Sequence, residues 1–153
     1  QPLFGEEARQ IETRTVNLST YETTTVYANE GDPIWFPDGD RIGLLTEGSI
    51  LVLHANGSGL IKKIKLPDGY VQASIWGNIW SPDGSRLALS LRASGPDSTP
   101  VAIGILDAYN FTFSVLEVPD FYQIVGWVPN ESAVVVSRYE GSNLVLREVP
   151  VAP

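Results

Sequence analysis

Trp80-Ser81-Pro82-Asp83-Gly84-Ser85-Arg86-Leu87-Ala88-Leu89-Ser90-Leu91 reads as a tight turn that opens into a strand. Pro82 presets its own φ, the Asp83 carboxylate is placed to accept backbone N–H bonds, and Gly84 takes a conformation that side chains resist. From Arg86 the chain alternates, with Leu87, Leu89 and Leu91 on one face and Ala88 and Ser90 on the other. A period of two is the signature of a strand. The same arrangement stands upstream as Trp35-Phe36-Pro37-Asp38-Gly39 before an apolar run at 42–45. It returns in worn form as Trp127-Val128-Pro129-Asn130-Glu131 before 134–136. The tryptophans are spaced by 45 residues (80 − 35) and 47 residues (127 − 80).

A repeat of that length, filled with short strands, is how a β-propeller blade looks in sequence. The second copy supplies strands at 78–81, 86–91, 101–106 and 111–118. The first supplies 33–36, 41–45, 49–53 and 60–66. The third supplies 123–127, 133–138 and 143–148. Two Thr-rich strands, 12–19 and 23–28, precede them, with the composition of strands that face solvent on one side. The expected fold is all-β: four-stranded antiparallel blades, about three in number. Residues 1–32 hold an incomplete blade or closing strand, 33–67 and 78–119 are blades, 123–150 is an incomplete blade, and 151–153 begins a linker or tail. Propellers close with typically four to eight blades. The chain is therefore expected either to be part of a longer propeller or to complete a ring with a second copy, the remaining alternative being an irregular β-sandwich that reuses the motif.

With 153 residues and 43% hydrophobic content, the chain is long and apolar enough to build a core. No apolar run approaches the ~20 residues that span a bilayer, so no transmembrane segment is expected. A net charge of −8 and a pI near 4.5 argue against binding nucleic acid or anionic membrane through bulk electrostatics. Lys62, Lys63 and Lys65 cluster where a blade edge is expected, a placement that discourages strand-on-strand association. The absence of cysteine removes disulfides, thiolate metal sites and Cys nucleophiles together. The absence of methionine leads to the expectation that Gln1 is not the natural start, and the Pro-rich ending suggests continuation.

The run from Trp80 to Ser90 resembles the WD40-like (PD40) repeat of the TolB type, and residues 33–148 carry the likeness. The resemblance implies a turn Asp with a structural role, matched by Asp38 and Asp83, whereas Asn130-Glu131 departs from the pattern and implies a looser third turn. It further implies an extracytoplasmic protein, periplasmic or at a bacterial cell surface, that binds other proteins, or a propeller domain attached to a hydrolase or peptidase.

Nothing in the sequence marks a catalytic site. His54, the single histidine, falls at the turn position that Asp107 fills in the next blade, and no Gly-x-Ser-x-Gly nucleophile motif is present. Asp32, Asp38, Asp40, Asp83 and Asp97 lack the alternating oxygen ligands of a calcium loop and read as turn formers, so no metal and no cofactor are expected. Asn17, Asn56, Asn110 and Asn130 each head an Asn-x-Ser/Thr triplet, but their neighbours read as turns. Trp35, Trp80 and Trp127 occupy equivalent stations suited to packing between blades. Tyr70, Gln72 and Trp76 fall in the expected connection between blades one and two, and Phe121 and Tyr122 in the next connection. Tyr70, Trp76, Phe121 and Tyr122 are the candidate partner-binding residues, since exposed aromatics make good binding anchors. The expected function is a non-enzymatic interaction or scaffolding module that binds a protein partner or itself, the alternative being an accessory domain of a hydrolase.

Overall fold

The computed structural model describes residues 11–74, 80–93, 101–118 and 121–152, and the regular structure among them is all β. Strands β1 (Thr13–Val16) and β2 (Thr23–Tyr27) form a hairpin. Blade 1 is β3 (Asp32–Trp35), β4 (Arg41–Thr46), β5 (Ser49–His54) and β6 (Leu60–Lys65). Blade 2 is β7 (Tyr70–Ser74), β8 (Arg86–Ala93), β9 (Ala102–Asp107) and β10 (Phe113–Glu117). Blade 3 is β11 (Gln123–Trp127), β12 (Ala133–Glu140) and β13 (Asn143–Pro150). Each blade is an antiparallel meander in chain order, so the sheets hold 2, 4, 4 and 3 strands. The all-β expectation and its division into four-stranded blades are both met.

One boundary differs. The first strand of blade 2 was expected at 78–81, yet β7 pairs with β8 from Tyr70↔Ala93 onward, and Trp80 contributes only an isolated bridge to Leu87. The partner strand β8 is long and runs to Ala93, so it offers ladder positions well before the Trp80 turn. Tyr70 and Gln72 therefore belong to a blade strand and not to a connecting loop.

The motif turns are built alike. Phe36 N–H donates to Arg41 O (3.0 Å) and Gly39 N–H to Phe36 O (3.1 Å); Ser81 and Gly84 repeat both bonds at 2.8 Å. The third turn is not looser: Val128 N–H reaches Ala133 O (3.0 Å) and Glu131 N–H reaches Val128 O (2.9 Å). Glu131 sits in the glycine position at φ 61°, against 75° and 74° for Gly39 and Gly84. A left-handed non-glycine residue costs about 1–2 kcal/mol. Glu131 offsets that cost across the blade junction, where its carboxylate accepts the Asp83 N–H (2.9 Å) and lies 3.5 Å from the Arg86 guanidinium.

Alternation along each strand distributes side chains to the two neighbouring sheets. Leu87, Leu89 and Leu91 meet Ile50 and Val52 of blade 1. Ala88, Ile103 and Ile105, on the opposite face, meet Ile124, Val134 and Val136 of blade 3. Val26 and Tyr27 of the hairpin cover Ile42, Leu44, Leu51 and Leu53. The order of stacking is thus hairpin, blade 1, blade 2, blade 3. Each fully buried Leu or Ile in these junctions is worth roughly 1.5–3 kcal/mol relative to exposure.

Two further sets of backbone bonds align the sheets residue by residue. After each third strand, Ala55 N–H bonds Asp40 O (2.8 Å), Ala108 N–H bonds Ser85 O (2.8 Å) and Val151 N–H bonds Ser132 O (2.9 Å). The hairpin turn, Asn17 N–H to Glu22 O (2.9 Å) and Tyr21 N–H to Asn17 O (2.7 Å), copies Asp107 N–H to Thr112 O (3.0 Å) and Phe111 N–H to Asp107 O (3.1 Å). Tyr21 and Phe111 share φ values of 59° and 60°. The hairpin is therefore the outer half of a blade, its third and fourth strands.

Candidate functional site at the two ends of the stack

The structure scatters the predicted aromatic surface. Tyr70 is half-buried and packs against the core between blades 1 and 2. Phe121 is only 5% exposed, enclosed with Val118, Ile124 and Val134 in the next core. It leads into β11 from the side of blade 2, so its ring fills the junction, which corrects the expectation that it faces a partner. Tyr122 is 57% exposed and stands edge-on to Tyr139 with ring centroids 5.3 Å apart. Trp76 lies outside the described residues.

Around Tyr122 the structure assembles a surface that the motif did not announce. Val134 and Val136 of β12 face blade 2, so Tyr139 faces away from it. Its cross-strand partner Leu144 lies on the same side, as does Leu146 opposite Ser137. Val125, the extra residue where β11 bulges against β12, is exposed beside them. Tyr122, Val125, Tyr139, Leu144 and Leu146 are all exposed, Leu146 by 64%. In the aligned third strands, Ile50 and Ile103 occupy the station of Leu146 and are fully buried.

The internal junctions carry polar latches as well. Arg41 donates to Ala108 O (2.7 Å) in blade 2 and lies over the Phe36 ring at 4.5 Å. Arg86 lies over Trp127 at 4.8 Å and donates to Glu131 O (2.8 Å) and Ala152 O (3.4 Å) in blade 3. Trp80 packs on Phe36 with centroids 5.0 Å apart, and its indole N–H donates to Trp35 O (3.0 Å). At the hairpin junction, Thr15 Oγ1 donates to Ala55 O (3.2 Å). Outward on blade 3 the pattern stops: Ala133 stands where blades 1 and 2 have Arg41 and Arg86, and Glu148 stands where they have Val52 and Ile105.

The turn carboxylates are occupied in holding their own turns. The Ser81 hydroxyl (2.7 Å) and the Ser85 N–H (2.8 Å) hold the Asp83 carboxyl at about 2, well under the usual carboxylate range. Desolvation pushes Asp38 upward, but the Asp40 and Arg41 N–H groups and the Arg41 guanidinium (2.5 Å) outweigh it and lower the carboxyl. Among the described residues no three His, Asp or Glu side chains converge as a metal site, and no helix is long and apolar enough to cross a membrane.

No family model matches this chain, and no curated protein sequence matches it. The resemblance to the TolB-type repeat therefore rests on the motif residues alone.

Proposed function

We propose that the chain is a non-enzymatic interaction or scaffolding module, a TolB-like propeller portion acting outside the cytoplasm, that holds a protein partner or a second copy of itself on the outward face of blade 3. The observation that carries this reading is the contrast between third strands: β5 and β9 are buried along nearly their whole length, and β13 is exposed at almost every residue. A contiguous exposed apolar face of this kind marks a contact surface. Tyr122 and Tyr139 serve as anchors, since Tyr offers large contact area at low entropic cost. With Ala133 and Glu148 replacing the arginine and the aliphatic residue of the internal junctions, the contact differs from a repeat of those junctions and suits a partner of another shape. The mechanism is shape and burial on a rigid frame, and stable contacts of this type bury about 800 Å² per partner.

Sedimentation over a micromolar concentration range tests the reading on the chain alone and with extracts of its own cell envelope. The expected result is an assembly that Leu146→Glu dissolves while the thermal midpoint stays within about 2 °C, as surface substitutions generally do. A compact monomer that Leu146→Glu leaves unchanged in every sample would contradict it.

A further inference from the structure

Between the hairpin and blade 1 lies a cleft of about 660 Å³ whose walls include Trp35, Gly39, Asp40, His54 and Asn56, together with Arg41, whose own charge is met by Asp38. Its volume is that of a small-ligand site. Trp35 faces into this end of the stack and is 52% exposed, whereas Trp80 and Trp127 at the same station are packed under residues of the preceding blade. The hairpin supplies only the outer half of a blade, so nothing among the described residues covers the indole. Its Nε1–H has no acceptor among the described residues, in contrast to the Trp80 N–H that bonds Trp35 O.

At the junction of blades 2 and 3 the corresponding space is filled by the Arg86 guanidinium, stacked on Trp127 and donating to the carbonyl oxygens of Glu131 and Ala152; at the junction of blades 1 and 2, Arg41 instead lies over Phe36 and donates to Ala108 O. The shared turn bonds equate Glu131 with Gly39 and Val151 with Ala55, hence Ala152 with Asn56. The three groups that hold Arg86 therefore have counterparts in Trp35, Gly39 O and Asn56 O, and all three residues line the cleft. Neither carbonyl accepts a hydrogen bond among the described residues. The Asp40 carboxylate beside them makes no ion pair among the described residues, while Asp38 is engaged by Arg41.

We propose that this cleft is a receptor for a guanidinium group, an arginine side chain presented from outside residues 11–152. The planar cation stacks on the Trp35 indole, donates to Gly39 O and Asn56 O, and is balanced by Asp40. A lysine ammonium meets the charge requirement but neither stacks flat nor forks between two carbonyls, so arginine is selected over lysine. The site is at the opposite end of the stack from the apolar face of blade 3 and does not depend on it.

The test is a titration of the folded chain with acetyl-arginine amide, acetyl-lysine amide and acetyl-citrulline amide, read on the indole N–H resonances by NMR. Citrulline keeps the shape of arginine and removes its charge. The expected result is a saturable shift of the Trp35 resonance by the arginine compound with a Kd on the order of a few millimolar, as suits one exposed cation–π contact with two hydrogen bonds. Binding should be at least roughly tenfold weaker for the other two compounds, be weakened by Asp40→Asn, and be unaffected by Leu146→Glu. Equal responses to arginine and citrulline, a shift spread over Trp80 and Trp127, or no saturation would overturn the proposal. If Trp35→Ala fails to fold, the comparison of compounds and Asp40→Asn still decide. Sedimentation and one variant separate the sources: a self-association that the arginine compound dissolves places the arginine on a second copy; in a monomer, a Kd tightened by Arg9→Ala places it on Arg9 of this chain and an unchanged Kd places it on a different chain.

Discussion

The two ends of the stack close in different ways. At the hairpin end, an outer half-blade covers the aliphatic faces of β4 and β5, Thr15 satisfies Ala55 O, and the outward side carries Arg14 paired with Glu12 beside Thr25. At the other end, three strands cover blade 2 and turn Tyr122, Tyr139, Leu144 and Leu146 to solvent. One end mixes these polar groups with exposed Ile11, Val16, Leu18 and Tyr21 and leaves a small cleft over a tryptophan; the other sets its exposed apolar residues together on one sheet face. A single repeated unit therefore produces two chemically distinct surfaces, because the described residues supply different strands of the blade at each end.

The strongest way to break this comparison is to truncate the same kind of residue inside and outside a junction. Leu89→Ala removes a fully buried side chain between blades 1 and 2 and is expected to cost about 3 kcal/mol in urea denaturation. Leu146→Ala on the open face is expected to cost less than ~0.5 kcal/mol. Similar losses at both positions would mean that blade 3 is covered as fully as blade 2.

Glu131 sharpens the comparison at the junction of blades 2 and 3. Glu131→Ala loses the carboxylate's bond from the Asp83 N–H and its 3.5 Å pairing with Arg86, keeps the Arg86 bond to the backbone carbonyl and the strained φ of 61°, and has an expected cost of about 2 kcal/mol. Glu131→Gly loses the same carboxylate but relieves the backbone, so it is expected to be about 1 kcal/mol more stable than the alanine variant. Equal stabilities of the two would remove the strain from the account.

The smallest effect is acidic. Asp83 titrates at about 2 in the folded chain, and Asp38 is lowered as well. An unfolded Asp titrates near ~3.9, so the unfolded chain binds more protons in this window. The contribution of these groups is complete above that value and is lost as pH falls from about 4 toward 2. Thermal midpoints measured over this range should fall, and Asp83→Asn should flatten the decline.

Much of this architecture is legible in the residues. Alternation at Leu87, Ala88, Leu89, Ser90 and Leu91 predicts both faces of β8 correctly, and the strand-like segments read around the three tryptophan motifs and in the Thr-rich stretch before them predict the strand count of each sheet. Strand β7 is harder to read, because the motif marks only its far neighbour Trp80 and residues 75–79 intervene. Phe121 reads as a loop aromatic, since its burial depends on which blade packs beside it. The hold of Arg86 on Glu131 and Ala152 spans 45 and 66 residues, and no local pattern encodes it. Trp35 looks like its two counterparts in sequence and differs only through the strands that precede it in space. What a sequence repeat conveys is the unit; where the repetition is interrupted, and therefore where function is sought, emerges from the packing.

Amide hydrogen exchange, resolved by residue at low protein concentration, tests the arrangement most directly. In a stack with complete inner blades and an open third blade, β5 and β9 are each flanked by two strands, so their amides should all be strongly protected. In β13 alternate amides point away from β12 and should exchange at rates close to those of an unfolded chain. Uniform protection along β13, or alternating protection along β5 and β9, would contradict the account.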